Sequence, residues 1–420
     1  MSAVTAYTLD RAFLQRLADW LAVGVALALP WSTSAASIFI VAWLLAVLAT
    51  LDPAAVWREL QMPAGGLPVA LWCLGLLGMA WADVGWKERF GGLDSFHRLL
   101  VVPLLLAQFR RSANGRWVVA GFFVSELLVL LASYILVLTP GLSWRGHVDG
   151  VPVHDDVFQG TAFLVCAFGA LGYVAYRGQQ PWRALGLLAS AALFIANFAF
   201  VTVSRSALLV APVLAILLGW RLARWKGILT AIAAMIAIGT ALWSLSPILQ
   251  QRLRDSFQEI QAYRTRGEAT SLGMHTAFLK ESLAIIASAP VVGHGTGTIS
   301  EQFRQVTAGR SGADAVAPDN PHNQTFAVAI QIGLIGAVVL WAMWIAHLAL
   351  FRSAGAAAWA GTVLVVENIV SSLVHSHLFD FTNGWLYVFG VGVLGGMVLR
   401  DATARKDGAS TLKTQDKPAA

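Results

Sequence analysis

The chain has few charged residues and few cysteines. Only 12% of its 420 residues are Asp, Glu, Lys or Arg, whereas 57% are hydrophobic and the mean hydropathy is +0.66. Soluble domains carry about a quarter charged residues, so this composition excludes an ordinary soluble protein. The two cysteines, Cys73 and Cys166, lie in apolar runs and offer neither a disulfide framework nor metal-ligand spacing. No nucleotide-binding motif, serine elbow or haem motif occurs, so we expect no cofactor and no nucleic-acid partner.

Long apolar runs dominate the chain instead. A helix needs about 20 apolar residues to cross a bilayer, and we find about twelve apolar segments near that length. The sequence therefore predicts an all-α integral membrane protein with about twelve transmembrane helices. The predicted segments are 17–32, 34–52, 67–82, 97–108, 117–140, 157–176, 184–203, 206–220, 227–245, 322–350, 355–375 and 383–400.

Basic clusters indicate how these segments are oriented. Short loops rich in Lys and Arg stay in the cytoplasm, and the clusters at 110–116 and 221–226 both do so if the N-terminus is cytoplasmic. We expect both termini in the cytoplasm, and we attribute the pI of about 9.6 first to topology. The predicted division is transmembrane helices at 1–245, one large outer loop with helical stretches at 246–321, transmembrane helices at 322–400, and a disordered cytoplasmic tail at 401–420.

A histidine stands where the large loop meets the next apolar segment. Asn320 suits a helix cap and Pro321 suits the first helical position, so we expect His322 and Asn323 to open the tenth membrane helix. The positive end of a helix favours a neutral imidazole and a nearby anion, and a neutral imidazole can accept a proton from a sugar hydroxyl. The alternative is a histidine that merely caps the helix at the membrane surface.

Small residues follow on the same predicted helix. If the helix is continuous, Gly333 and Gly336 fall close to its His322 side, where they let a neighbouring helix or a lipid chain approach closely.

An arginine interrupts a second apolar region. Arg205 lies between two apolar segments with almost no polar neighbours except Ser204 and Ser206. Arginine in such surroundings usually faces a partner or a water-filled cavity, and its planar fork suits a phosphate group. The alternative is an arginine that extends to the membrane interface.

Other polar residues are weaker candidates. Arg264, Arg266 and His275 lie in the large loop, where a solvated charged surface is the alternative explanation. Asp380 follows two histidines, His375 and His377, and could orient an imidazole or hold a basic side chain. The spacing of these histidines is only a weak indication of metal.

Two short motifs indicate loops rather than sites. Residues 154–156, His-Asp-Asp, have no partner at metal-ligand spacing and are interpreted as a solvated loop. Residues 293–297, GHGTG, lack the ending of a P-loop, and we interpret them as a flexible turn that reaches toward the site.

Three motifs together resemble those of the O-antigen ligase/polymerase superfamily of bacterial inner-membrane glycosyltransferases, and most closely its O-antigen ligases. The motifs are TVSRSA at 202–207, TSLG at 270–273 leading through 282–297, and Pro-His-Asn at 321–323 followed by Gly333 and Gly336. The resemblance covers most of the chain, including the large loop. It implies a GT-C-like membrane fold in the inner membrane, with the large loop and the active site facing the periplasm.

The resemblance also implies a reaction. A glycan on undecaprenyl pyrophosphate is the donor, and a sugar hydroxyl of lipid A-core is the acceptor, both held among membrane lipids. In such a reaction His322 would be the general base and Arg205 would bind pyrophosphate, with no metal and no cofactor. Asn323 and Asp380 would orient the groups.

One position departs from the family pattern. Relatives place an arginine shortly after the Ser-Leu-Gly element, where this chain has His275. Arg264 or Arg266 would supply the missing charge, or His275 itself would contact phosphate. Three other activities stay open: an O-antigen polymerase, a protein O-oligosaccharyltransferase, and, from another class, a transporter or flippase for an anionic lipid.

Overall fold

The computed structural model describes residues 10–139, 141–142, 150–153, 155–176, 180–201 and 204–415, and this part of the chain is helical without a β-strand. The predicted class, an all-α integral membrane protein, is confirmed. The helices are α1 Arg11–Ala28, α2 Thr33–Ala49, α3 Pro53–Leu60, α4 Pro63–Gly78, α5 Trp86–His97, α6 Val101–Arg111, α7 Gly115–Leu138, α8 Asp156–Tyr176, α9 Pro181–Phe200, α10 Arg205–Leu245, α11 Pro247–Arg266, α12 Ser271–Ser288, α13 Ile299–Thr307, α14 Gln324–Leu350, α15 Ala356–Ser371 and α16 Phe381–Gln415.

The number of helices long and apolar enough to cross a membrane is lower than predicted. By length and composition, the described residues contain seven such helices, or up to eight if α2 and α3, which meet at 112°, form one span. α4 and α15 are apolar but have only 16 residues each, fewer than the roughly 20 that a crossing needs. Seven or eight is below the predicted number of about twelve, but this figure rests on length and composition only and counts α10 once.

The helix α10 joins two of the predicted segments. Ala223 and Arg224 leave the helical conformation, Arg224 with φ of 52°, and divide the 41-residue helix. Gly219 and Gly227 pack backbone against backbone across this break, so the chain reverses there. The predicted segments 206–220 and 227–245 are therefore two arms of a hairpin.

The outer loop is mostly helical. It begins with α11, α12 and α13 and adds a short 3₁₀ helix at Gly312–Ala315. Ser246 caps α11 with Pro247 at its first position, and Thr270 caps α12 by accepting a hydrogen bond from the Gly273 amide at 3.1 Å. This layer lies against the beginning of α14, because Phe278 and Ile285 are buried together with Ala327 and Ile330.

The helix α14 is neither continuous nor begun where the sequence predicts. Its N-cap is Asn323, so His322 lies before the helix, and Gly333 breaks it with φ of 68° and ψ of −166°. Gly333 and Gly336 therefore do not share a straight helix with His322. A positive φ at this position favours glycine, which has no Cβ to clash.

A loop fills the break in α14. The amides of His294 and Gly295 donate to the carbonyls of Ile330 and Gln331 at 2.9 Å each, and the Leu334 amide donates to Pro290 at 2.8 Å. Backbone groups freed at a helix break need such partners when they are buried. The expected flexible turn at 293–297 is thus wrong: this loop is a fixed part of the packing around α14.

The predicted tail also differs. α16 continues to Gln415, so described residues 401–415 are helical where we expected disorder.

Candidate functional site

Several helix ends meet on one side of the bundle. α10 and α14 begin there, α15 ends there, and the segment 372–380 leads from α15 to the start of α16. α11 and α12 lie over these ends through contacts between Arg205 and α11, and between α12 and His322. The arrangement gathers most of the predicted site residues at one face.

Arg205 is held by the layer above it. It is the first residue of α10, its Nη2 lies 2.9 Å from Oε1 of Glu259 on α11, and its Nη1 donates to Oγ of Ser271 at 3.1 Å. The Arg205 side chain is 31% exposed, so the predicted phosphate ligand is accessible at the rim of the bundle. Arg205 pairs with a carboxylate of the same chain, as expected for arginine in apolar surroundings.

The carboxylate of Glu259 sits in an anion-binding position. One of its oxygens pairs with Arg205, and the other accepts a hydrogen bond at 3.0 Å from the backbone amide of Leu272. Leu272 lies in the first turn of α12, where free amides and the helix dipole favour negative charge. Arg205, Ser271 and this helix end together form a site for an anionic oxygen that Glu259 occupies.

Three imidazoles cluster next to Arg205. The ring of His275, one helical turn after Ser271 on α12, lies 4.8 Å from the ring of His322. His375 lies 6.3 Å from His275 and 6.0 Å from His322, and His377 follows at 5.3 Å from His375. Arg205 and His322 are thereby linked through Ser271 and His275.

The backbone holds His322 in an unusual conformation. Its φ is 52°, in the left-handed region, and its amide donates to Oδ1 of Asn320 at 2.9 Å. Its ring stacks on Phe278 at 6.0 Å with an angle of 17°. Left-handed non-glycine residues cost free energy and tend to cluster at functional sites.

The histidines are uncharged at neutral pH. Desolvation by burial lowers the pKa of His322 below its usual value. It also lowers the pKa of His275 to about 4, with further contributions from His322 and Arg205. The pKa of His375 falls to about 4 and that of His377 to about 3, again mainly through burial. Four neutral imidazoles offer N–H donors and proton acceptors, while Arg205 supplies the positive charge.

Asn323 and Asp380 make hydrogen bonds at the helix ends. Asn323 caps α14 through Oδ1, which accepts from the Phe326 amide at 3.1 Å, and its Nδ2 donates to the Leu373 carbonyl at 3.0 Å. The carboxylate of Asp380 accepts from Asn383 at 2.6 Å, and its carbonyl accepts from Arg98. Both residues thus fix the ends of helices next to the histidines.

The two loop arginines do not join Arg205. Arg266 pairs with Glu268 at 2.7 Å and is 67% exposed, and Arg264 is exposed in the same last turn of α11. The structure does not bring either one together with the pair of Arg205 and Glu259. The family's missing arginine is therefore not replaced by these side chains in this conformation.

Some residues of the predicted motifs have only a structural role or lie outside the described residues. Thr202, Val203 and His154 lie outside the described residues. Asp155 accepts a hydrogen bond from the Phe158 amide at 2.7 Å and caps α8. In the part of the chain that is described, no group of three or more His, Cys, Asp or Glu side chains has the arrangement of a metal site.

Sequence reasoning missed two residues of this cluster, Glu259 and His375, and a buried carboxylate elsewhere in the loop. Glu259 is one acidic residue among many in the loop, and nothing local distinguishes it. The sequence spacing of His375 and His377 indicates metal only weakly and does not place His375 beside His322. Glu281 is 1% exposed beside Arg310 at 3.3 Å, and burial raises its pKa to about 7. Burial of a carboxylate inside the layer formed by α12 has no signal in the sequence pattern.

The site also contains polar atoms without partners. Among the described atoms, buried Oγ of Ser204 and Ser206, Nε of Arg205 and Nε2 of His377 make no hydrogen bond. Buried polar groups are usually satisfied, so these atoms are exceptions at the face where the histidines lie.

The fold and these residues define a helical membrane protein with an arginine and a histidine cluster at one face. The sequence model described as O-antigen ligase matches residues 189–341, which include Arg205, Glu259, His275 and His322. The matched segment is less than half of the chain, and over these residues the protein is similar to O-antigen ligases. No curated protein matches the chain. The family indicates a glycosyltransferase-like enzyme with lipid-linked glycan partners in a membrane.

Proposed function

We propose that the protein transfers an O-antigen glycan from undecaprenyl pyrophosphate to a sugar hydroxyl of lipid A-core. The proposal includes a site on the periplasmic face of the bacterial inner membrane, with both termini in the cytoplasm. The observation that carries it is the link from Arg205 through Ser271 and His275 to His322, with the two imidazole rings 4.8 Å apart. The proposed anion-binding group and the proposed base are thus joined through two residues of α12.

Arg205 is the residue for the donor pyrophosphate. A guanidinium binds phosphate oxygens through two parallel hydrogen bonds, and it stabilises the charge that develops on the leaving group when the sugar bond breaks. Ser271 and the amide of Leu272 at the start of α12 are additional donors to the same oxygens.

His322 is the general base. Burial keeps its imidazole neutral, so it can take the proton from the acceptor hydroxyl as that oxygen attacks the sugar carbon. The new glycosidic bond forms while the bond to the pyrophosphate oxygen breaks, and the released pyrophosphate carries the electron pair. His275 and His375 flank the base and orient it and the incoming groups. Asn323 and Asp380 act as positioning residues by fixing the two helix ends beside them.

Glu259 competes with the donor. Its carboxylate occupies the position of a phosphate oxygen, in contact with Arg205 and Leu272. Donor binding requires that Glu259 leaves Arg205 or shares it, because one guanidinium edge cannot serve two carboxylate-sized anions fully. Until then, the pair keeps the arginine from binding unrelated anions.

The test is a reconstituted reaction with purified protein, lipid-linked glycan and lipid A-core. We expect glycosylated lipid A-core from the native protein and little product from His322→Ala, while His97→Ala, an exposed histidine on α5, stays active. A general base typically contributes about 10²–10⁴-fold to the rate. Near-normal transfer by His322→Ala would remove the base assignment.

The choice of acceptor separates the related activities. A polymerase would lengthen the glycan on its own carrier, and a protein transferase would modify a pilin-like protein supplied in place of lipid A-core. Movement of labelled lipid between leaflets without any glycosylated product would favour a flippase and contradict the proposal. Full loss of transfer in a metal chelator would contradict the metal-independent scheme.

A further inference from the structure

A large apolar cavity extends along the bundle, from near the candidate site to the opposite end. Its volume is about 1020 Å³, and it is lined by α1, α7, α8, α15, α16, the connection from α14 to α15, and Leu187 of α9. Along α16 its lining runs from Leu386, near the candidate site, to Arg405 at the far end. At 1.5 Å per residue this is about 28 Å, close to the roughly 30 Å of a bilayer's hydrocarbon core.

The walls of this cavity are suited to hydrocarbon chains. Phe122 and Phe123 of α7, Val165 of α8, Leu364 of α15 and Leu394 of α16 line it. A pocket of this size is at the upper end of the range for small ligands, and its length far exceeds that of a compact molecule. An extended acyl chain fits such a shape.

The mouth of the cavity carries positive charge. Arg116, Arg352, Arg400 and Arg405 line it, against a single acidic residue, Asp401. Arg400 is engaged, because Nη1 donates to the Ser112 carbonyl at 2.9 Å and Nη2 lies 3.6 Å from Asp401. Arg352 and Arg405 are exposed. Arginine near a membrane surface attracts anionic headgroups by about 1 kcal/mol each and binds phosphate well.

We propose that this cavity binds one anionic phospholipid from the leaflet opposite the candidate site. The acyl chains extend along α16 toward Leu386, and the phosphate contacts Arg352 and Arg405. A zwitterionic lipid gains less from the excess of arginine at the mouth. A pyrophosphate-linked donor is a poor occupant, because its charged group would lie at the end of α16 remote from Arg205 and His322.

The first test measures lipid binding by native mass spectrometry of the purified full chain. Phosphatidylglycerol and phosphatidylcholine of the same acyl composition are added separately in detergent. We expect one phosphatidylglycerol to bind more tightly than phosphatidylcholine, and the double variant Arg352→Gln with Arg405→Gln to weaken its binding about 30-fold. The control, Arg11→Gln with Arg183→Gln, removes the same charge outside the cavity lining and should leave binding unchanged.

The second test fills the cavity without changing charge. Gly169 lines the cavity and Gly186 on the neighbouring α9 does not, and both have open space where a Cβ would stand. Gly169→Leu should abolish the tightly bound phosphatidylglycerol, whereas Gly186→Leu should retain it. Equal binding of the two lipids, or unchanged binding in Gly169→Leu, would overturn the proposal. Neither test measures transfer activity. Failure of the lipid-binding proposal would therefore leave the proposed function unaffected.

Discussion

Replacing Glu259 by glutamine should improve the use of donor. In the free protein, the Glu259 carboxylate pairs with Arg205 at 2.9 Å and accepts from the Leu272 amide at 3.0 Å. In the proposed complex, a phosphate oxygen of the donor would need both of these groups. Glutamine keeps the shape of the side chain but loses the charge, and its NH₂ group has no acceptor when it faces the guanidinium. Arg205 is then released at less cost when the donor binds.

The size of the change in donor KM follows from the strength of the ion pair between Glu259 and Arg205. A hydrogen bond to a charged group contributes about 1.5–3 kcal/mol, and partial exposure of both side chains, 31% and 24%, reduces this to roughly 1–2 kcal/mol through solvent screening. The donor KM should therefore fall about 5- to 30-fold. The maximal rate should change little, because the carboxylate leaves Arg205 before the sugar bond breaks.

The assay is the initial rate of lipid A-core glycosylation at varied donor concentration. The matched control is Glu268→Gln, which removes the same charge from the same loop and breaks the exposed pair with Arg266. Any general change in loop charge lowers the KM in both variants equally. Thermal unfolding of Glu259→Gln shows whether the cap on α12 is still intact.

The opposite result would refute the reasoning. If the donor KM rises in Glu259→Gln while Glu268→Gln behaves like the native protein, Glu259 holds Arg205 in its working position and does not compete with the donor. An unchanged KM in both variants would mean that the pyrophosphate binds elsewhere.

Other perturbations test separate parts of the structure. His322→Gln should lower kcat about 10²–10⁴-fold with a much smaller change in donor KM. A fall in kcat matched by an equally large rise in donor KM would contradict a role as base. In the pH profiles, the acid limb of kcat should lie at higher pH than the acid limb of kcat/KM, because the bound donor raises the pKa of His322. Coinciding limbs would show that the donor leaves this pKa unchanged. Lowering the pH from 7 to 5 should lower the melting temperature, because unfolded histidines bind protons near pH 6.5 whereas His377 has a pKa of about 3 when folded. The slope should be smaller in His377→Gln. Gly333→Ala should prevent stable folding, because φ is 68° and the added Cβ meets the Val291 carbonyl, whereas Gly239→Ala, in open space, should not.

Composition predicts the class of fold because it reflects the solvent. A bilayer leaves no water for backbone groups, so long apolar runs become helices whatever their order. The hairpin within α10 also follows from two apolar segments separated by a basic cluster. Composition does not predict the number of membrane crossings, because α4 and α15 are short and their burial depends on neighbouring helices.

The break in α14 could not be predicted from its sequence pattern. An isolated glycine in an apolar segment usually stays helical, and nothing local shows that the loop around Gly293 supplies the missing hydrogen bonds. Those bonds join residues about 40 positions apart in the chain. The position of His322 could not be predicted either. Asn323 forms the helix cap that we expected at Asn320, so His322 precedes the helix, and Asn320 accepts a hydrogen bond from the His322 amide.

The candidate site could be predicted in part. Arg205 and His322 stand out because polar residues are rare beside apolar segments. Their partners do not, because Glu259 and His275 lie in a loop with many charged residues, where only tertiary packing selects one carboxylate to face Arg205. The choice among Arg264, Arg266 and His275 was open for the same reason, and of these only His275 lies beside His322.

If His322 is the base, as proposed, the electrostatics of the free site couple it to the donor. Before the donor binds, Glu259 neutralises Arg205 and burial keeps His322 neutral with a lowered pKa, so the imidazole has little affinity for a proton. An anion near an imidazole raises its pKa, because it favours the charged form. In the proposed reaction, the donor pyrophosphate would bring such charge next to His275 and His322, so the base would become stronger only when there is a leaving group to displace. Since kcat/KM reports the free enzyme and kcat the complex with substrate, the two acid limbs must separate in that direction if the donor strengthens the base.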